Sequence, residues 1–171
     1  VVIRNGQFVT NEGKPFDTSK SISKRKEGFV AFTLNVNGEL SIFQHRFQEV
    51  TGIAHSSMNA SVPVFSAGEV KIKNGKLLTL TDRSGHYAPS LYNMYKTLDY
   101  FRKQGIDISD AKVYTSAKRK QVAHISKKLN IDIHKSENHP QFYELKATDL
   151  CNTYAAHMHK VVTNIQSDLD A

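Results

Sequence analysis

The sequence predicts a single α+β domain, in which an antiparallel sheet of hairpins packs against about three helices. Two observations carry this prediction. In the first half of the chain, Asn-Gly turns separate segments whose apolar and polar residues alternate, as in half-buried strands. After Pro89, apolar residues instead recur every three to four positions, which is the spacing of amphipathic helices. Strands followed by helices favour α+β over the strand–helix alternation of parallel α/β folds.

The strand-like part of the sequence is organised as two hairpins. The first has strands at residues 29–34 and 39–45, joined by Asn37-Gly38. The second turns at Asn74-Gly75 and returns over residues 76–81. Asn and Gly tolerate the positive φ angles of a tight two-residue turn, so each Asn-Gly pair predicts an antiparallel connection.

The second half of the sequence predicts helices separated by short strands. Helices are predicted over residues 89–104 and 116–129, and strands over 112–115 and 131–134. A long final helix beginning at Thr148 follows from an apolar stripe at helical spacing. The members of this stripe are Leu150, Tyr154, Met158, Val161 or Val162, and Ile165.

Length and composition fit one domain over residues 1–171, because the chain is 39% apolar and long enough to bury a core. It starts on Val1 rather than Met, which suggests a domain excised from a larger protein. The polar, basic segment 18–26 predicts a loop, and residues 1–27 are expected to be partly flexible. Since Cys151 is the one cysteine, we expect a reducing compartment and no disulfide.

The net charge of +7 favours anionic partners, among which nucleotides, nucleic acid and acidic membranes all qualify. No apolar run reaches the roughly 18 to 20 residues that span a bilayer, so membrane insertion is not expected. Basic residues crowd the predicted helix 116–129, but a solvated face is the commoner role for such a run, and nucleic acid is not an expected partner. The histidine spacings match no metal-binding motif, so no metal site is predicted.

The segment after the second hairpin, residues 82–89, runs from a strand end through a glycine into a helix start. Backbone N–H groups at such a junction face any anion placed there, and Ser84, Gly85 and His86 would surround a phosphate. The alternative is a tight turn in which His86 and Tyr87 only pack and cap. A single glycine does not decide between the two.

Aromatic and polar side chains near this junction are the other candidate ligand contacts. Tyr87, Tyr92 and Tyr95 could stack on a nucleobase, although rings at helical spacing equally fit core packing. His55, Ser56 and Ser57 form a compact group of donors and acceptors that we predict to contact a polar ligand. No nucleophile-elbow pattern surrounds either serine, so nucleophilic catalysis is not the expected role.

Glu69 is a candidate ribose ligand or catalytic carboxylate. It shares a strand face with Lys71 and Lys73, so the alternative is an ion pair with Lys71 across a solvated surface. His55 and Glu69 are the residues considered for catalysis, and no catalytic set is assigned.

Three blocks, taken together, resemble a known family. Ala54-His55-Ser56-Ser57, Ala67-Gly68-Glu69 and Ser84-Gly85-His86-Tyr87 occur in order, with the second hairpin between the last two. They resemble the conserved blocks of the domain carried by plant IQ-motif calmodulin-binding proteins. They are also similar to KLAMP domains, adenine-nucleotide-binding modules of effector proteins that an intracellular bacterial pathogen injects into its host. Ala88 departs from the plant pattern, in which an arginine commonly follows the third block, and no IQ-type helix is evident.

The resemblance implies an adenine-nucleotide-binding module, with ADP or cyclic AMP as ligand, no required cofactor, and tyrosines stacked on the base. It also implies an effector that a bacterium secretes into the host cytoplasm, where a host protein is a further partner. Two alternatives stay open. An ADP-ribosyltransferase-like enzyme would hold NAD with His55, Tyr87 and Glu69, although their order in the chain is not the usual one for that family. A protein-interaction domain would use the same blocks only structurally and bind no small ligand.

Overall fold

The computed structural model of the chain describes residues 1–23, 26–43, 64–83 and 91–170 and confirms the α+β fold. The strands in these ranges are β1 (Val2–Arg4), β2 (Gln7–Val9), β3 (Ile22–Ser23), β4 (Lys26–Glu27), β5 (Val30–Asn35), β6 (Leu40–Phe43), β7 (Val64–Lys73), β8 (Lys76–Thr81), β9 (Lys112–Thr115), β10 (His134–Lys135) and β11 (Tyr143–Lys146). The helices are α1 (Leu91–Lys103), α2 (Arg119–Leu129) and α3 (Ala147–Asp170).

A seven-stranded sheet forms the centre of the fold, in the order β10-β11-β9-β8-β7-β5-β6. Its neighbouring strands pair antiparallel except β8 and β9, which run parallel. The connection between these two strands contains α1, since parallel neighbours need a crossover. The sheet is therefore mixed rather than purely antiparallel as the two hairpins alone predicted.

The helices pack against one face of this sheet, which we call the helical face. The main core lies there and combines strand residues such as Phe32 and Leu80 with Met94 and Phe101 of α1 and Leu150 of α3. Because side chains alternate across a strand, residues adjacent to these core positions point to the opposite side, which we call the far face. The far face carries a smaller apolar cluster of Phe29, Tyr114 and Phe142.

The two predicted Asn-Gly turns differ in geometry. Asn74 and Gly75 both have positive φ angles, 48° and 79°, as a two-residue type I′ turn requires. In the first hairpin, Gly38 has a positive φ of 82° but Asn37 does not, and a longer loop joins Asn35 to Glu39. The Asn35 side chain accepts hydrogen bonds from the N–H groups of Asn37 and Glu39, which holds this longer loop.

The N-terminal residues brace the second hairpin. Phe8 of β2 donates its N–H to the carbonyl of Gly75 at 3.0 Å. Thr18 is fully buried, and its Oγ1 contacts the Gly28 carbonyl at 2.5 Å and accepts the Ile72 N–H at 3.0 Å. The prediction of a loop over residues 18–26 is wrong in part, because β3 and β4 pair antiparallel there.

Two predicted elements in the second half differ from the structure. α2 begins at Arg119 rather than at residue 116, because Ser116 donates both its N–H and its hydroxyl to Asp82. The strand predicted over residues 131–134 lies further along the chain, since β10 covers His134–Lys135. Ile131 follows the end of α2 and is tied to it: its N–H donates to the Ser126 carbonyl, and its carbonyl accepts a hydrogen bond from Ser126 Oγ.

Candidate functional site

Glu69 is buried on the far face of the sheet. It lies on β7 between Ala31 of β5 and Thr81 of β8, and it is 3% exposed. Its backbone N–H donates to Thr81 Oγ1 at 3.2 Å. The Lys71 ammonium lies 5.8 Å from the centroid of the Phe29 ring. At this exposure, Glu69 is buried and not on the solvated surface that its sequence pattern also allowed.

Asp82 ties together the carboxyl ends of the parallel strands β8 and β9. It directly follows β8, and the Thr115 hydroxyl at the end of β9 donates to its Oδ2 at 2.5 Å. Ser116 donates its N–H and its hydroxyl to Oδ1 at 2.9 and 3.0 Å. Burial raises the pKa of Asp82 above its ordinary value, and the hydrogen bonds from Thr115 and Ser116 oppose this shift.

The raised pKa of Asp82 makes stability depend on pH. A carboxyl with a higher pKa in the folded chain contributes stability that is fully present below its unfolded pKa, 3.8, and is lost as the pH rises through the folded pKa. We therefore expect the unfolding free energy of the wild type to increase relative to that of Asp82→Asn as the pH falls from neutral towards this value. Urea unfolding of both proteins at matched pH checks this, and a difference that does not change with pH would contradict it.

The connection from β8 to α1 contains the predicted phosphate-binding turn. The residues of this turn and of the first sequence block lie outside the described residues: His55, Ser56, Ser57, Ser84, Gly85, His86 and Tyr87. Both flanks of the turn are described. Arg83 is half-buried and donates its N–H to Thr81 Oγ1 at 3.3 Å, and α1 starts at Leu91 with no acidic residue in its first turn.

The strands β8 and β9 and the helix between them form a strand–helix–strand unit with parallel strands. In open α/β sheets, ligands bind outside the carboxyl ends of the parallel strands, and the pair of β8 and β9 has one such end. Arg83 and Asp82 lie at this end, and Glu69 lies one strand away, opposite the last residue of β8. The arrangement can receive an anion at the helix start and offer carboxylates as acceptors for hydroxyl groups.

Tyr92 and Tyr95 lie on the helical face, so the structure does not bring them together with Glu69. The Tyr95 ring stacks on Tyr154 of α3, with centroids 5.4 Å apart and planes at 11°, and Tyr95 is 8% exposed. Tyr92 is 40% exposed and lies 6.0 Å from Tyr95 and 6.1 Å from Tyr154. Burial raises the pKa of both the Tyr95 and the Tyr154 phenols. Their role as ligand contacts stays a prediction, and a base on Tyr95 would compete with Tyr154.

A loop with a histidine covers part of the far face. His139 contacts Tyr114 of β9 at 5.5 Å between ring centroids and Phe29, next to β5, at 6.1 Å. His139 therefore joins a side chain of β9 to the residue that precedes β5. Tyr114 in turn stacks on Phe142 at 5.8 Å.

Nothing local in the sequence marks Thr115 and Ser116 as partners of Asp82, because they follow it by 33 and 34 residues. The sequence does show a polar residue directly after each of the two strands. This pattern predicts a contact only once the strands are known to be parallel neighbours. Within the described ranges, no group of three or more His, Cys, Asp or Glu residues is placed to hold a metal ion. None of the helices described has both the length and the apolar character needed to cross a membrane.

Comparison with known proteins agrees with the three sequence blocks. Residues 1–94, more than half of the 171 residues, match the family described as the IQ motif-containing protein middle domain. The chain is 36% identical over 115 residues to the IQ domain-containing protein IQM2 of Arabidopsis thaliana. That similarity covers 66% of this chain and 18% of the plant protein, so the chain spans a minor part of its relative. No solved structure matches.

Proposed function

The chain belongs to the family of IQ motif-containing protein middle domains, and on this premise we propose that it is an adenine-nucleotide-binding module. Membership confirms the resemblance to plant IQ-motif proteins. The finer resemblance, to nucleotide-binding domains of bacterial effectors, is part of the proposal. The observation that carries it is that β8, whose carboxyl end leads into the Ser84-Gly85-His86 segment, pairs parallel with β9 and is followed by α1.

The phosphate is the first contact to consider. In the proposed complex, its oxygens accept hydrogen bonds from the N–H groups of Ser84, Gly85 and His86, near the positive end of the α1 dipole. Arg83 adds a cation directly before this turn, and the first turn of α1 has no acidic residue to repel the ligand. The net charge of +7 attracts nucleotides over longer distances.

The base and the ribose complete the proposed complex. We assign the base to Tyr87, next to the phosphate turn, rather than to Tyr95, whose ring is already stacked on Tyr154. Base stacking on an aromatic ring typically contributes about 1 to 3 kcal/mol. Glu69 would accept hydrogen bonds from ribose hydroxyls, and His55, Ser56 and Ser57 would form the remaining wall.

The proposed setting is an effector that a bacterium secretes into the cytoplasm of its host. The lone thiol, Cys151, is fully buried between the helices and the sheet, and burial raises its pKa. A buried thiol that is mostly protonated is unreactive towards oxidants. Such a thiol is compatible with a reducing compartment and with secretion into it.

A nucleotide titration followed by amide NMR tests the proposed site. With ADP, we expect the largest shift changes at Glu69, Thr81, Arg83 and Ser116, and small ones at Tyr154. Arg83→Met should weaken binding at least about fivefold, close to 1 kcal/mol, because it removes the cation next to the phosphate. Lys73→Met is the matched control, because this lysine is exposed at the opposite end of the second hairpin. Shift changes confined to the helical face would contradict the site.

A second candidate function is docking of a host protein, with no small ligand. Ile165 and Leu169 near the end of α3 are 54% and 75% exposed, which favours this reading. The IQ motif in the family's name makes a calmodulin-type protein the partner to test first. Binding of calmodulin that Ile165→Asp abolishes, together with no response to any nucleotide, would favour docking over nucleotide binding.

A further inference from the structure

A cavity of about 280 Å³ lies between the loop of the first hairpin and α1. It is on the helical face and involves none of the residues at the carboxyl ends of β8 and β9. Its volume is slightly below the range of about 300 to 1,000 Å³ typical of drug-sized ligand sites, so it fits a small organic molecule. The lining residues are Leu34, Asn35, Val36, Gly38, Lys96, Asp99, Tyr100 and Lys103.

The walls of the cavity are held in place without a ligand. The Tyr100 hydroxyl donates to the Gly38 carbonyl at 2.7 Å, which fastens the loop to the helix. The Asn35 side chain holds the same loop through hydrogen bonds from Asn37 and Glu39. Leu34 is 2% exposed, whereas Val36 is 60% exposed. The cavity therefore has preformed walls and an accessible apolar residue among those that line it.

Among the described residues that line the cavity, Lys96 is a cation available to a ligand. Asp99 is neutralised by Lys103 at 2.8 Å and Arg102 at 3.6 Å. Lys96 is half-buried, and its ammonium makes no hydrogen bond or ion pair with the residues that the structure describes. A ligand carboxylate would supply the partner that Lys96 lacks.

We propose that this cavity binds a small organic carboxylate, with its carboxylate group on Lys96 and a compact apolar part against Leu34, Val36 and the Tyr100 ring. These side chains present mostly apolar carbon, so burying the apolar part of the ligand against them is favourable. Among the described lining residues, the unpaired Lys96 ammonium gives the site its preference for an anion. This site is separate from the proposed nucleotide site, and either can exist without the other.

Three probes of one shape test the proposal by NMR on the full chain: 2-naphthoate, the neutral 2-naphthalenemethanol and the dianionic 2-naphthyl phosphate. We expect 2-naphthoate to shift the Val36 methyl and Tyr100 ring signals in a saturable manner, and to bind at least tenfold more tightly than the alcohol. The phosphate should likewise bind more tightly than the alcohol, because it also presents a negative charge to Lys96. No saturable shift at Val36 and Tyr100, or equal affinity for naphthoate and the alcohol, would overturn the proposal.

Two variants keep the test specific. Lys96→Met keeps the length of the side chain but removes its charge, and should weaken naphthoate binding at least tenfold while Lys73→Met leaves it unchanged. Val36→Asp places a negative charge, of the same sign as the ligand's, on an exposed loop residue. The substitution should leave the fold intact and abolish naphthoate binding. Wild-type affinity in either the Lys96 or the Val36 variant would overturn the assignment.

Discussion

Gly68→Ala is expected to destabilise the protein by about 3 kcal/mol or more, or to prevent folding. Gly68 lies in β7 beside Glu69, where the end of the antiparallel neighbour β8 comes close to its backbone. An added methyl group would overlap the carbonyl oxygen of Thr81 and lie 3.2 Å from Cε1 of Phe32. Both neighbours are fully buried, so neither can move aside without opening the core.

Urea unfolding measures this effect, with Gly13→Ala as the matched control. Gly13 has a φ of +81°, but an added methyl group would meet no atom within 4 Å. Its substitution should therefore cost only the backbone strain of about 1 to 2 kcal/mol. If Gly68→Ala costs no more than Gly13→Ala, the close approach of β8 to β7 is wrong, and with it the position of Glu69 next to the end of β8.

Phe101→Ala is the second substitution with a large expected effect, a loss of about 3 to 5 kcal/mol of unfolding free energy. Phe101 is fully buried on α1 and meets Phe8 edge to face, with ring centroids 5.2 Å apart and planes at 90°. Its removal leaves a cavity and ends the contact that joins the N-terminal hairpin to the helix.

Thermal and urea unfolding of Phe101→Ala check the total loss, and hydrogen exchange locates it. Amides of β1 and β2 should lose protection along with those of α1, because Phe8 lies in β2. Tyr92→Ala on the same helix is the control, since its 40% exposed side chain should cost about 1 kcal/mol or less. A loss below about 1.5 kcal/mol for Phe101→Ala would show that this core can close around the gap.

The fold class and several elements follow from local sequence signals alone. β8 and β9 have the predicted bounds, and α3 begins one residue before the predicted start. These elements are set by nearby turn residues and by apolar spacing. Asn5-Gly6 is a third pair of this kind: both residues have positive φ and join β1 to β2. Strands of three residues are too short to show an alternating pattern.

The candidate site was less predictable, because its geometry depends on contacts between distant parts of the chain. The parallel pairing of β8 and β9 brings Asp82 next to Thr115, and no residue spacing within either strand predicts this pairing. Glu69 has the same sequence pattern as a solvated residue next to Lys71, whereas in the fold it lies between β5 and β8 and is 3% exposed. Likewise, the sequence places Tyr154 in the apolar stripe of the final helix, whereas only the fold shows that its ring stacks on Tyr95.

The central claim is that the chain binds an adenine nucleotide at the turn between β8 and α1, and calorimetric titration tests it most directly. The ligands are AMP, ADP, ATP, cyclic AMP and NAD, and the variants are Tyr87→Ala and, as control for the helical face, Tyr95→Phe. We predict saturable binding of at least one adenine nucleotide without NAD cleavage, weakened at least about tenfold, roughly 1.4 kcal/mol, by Tyr87→Ala and unchanged by Tyr95→Phe. No heat of binding with any of the five ligands would contradict the claim.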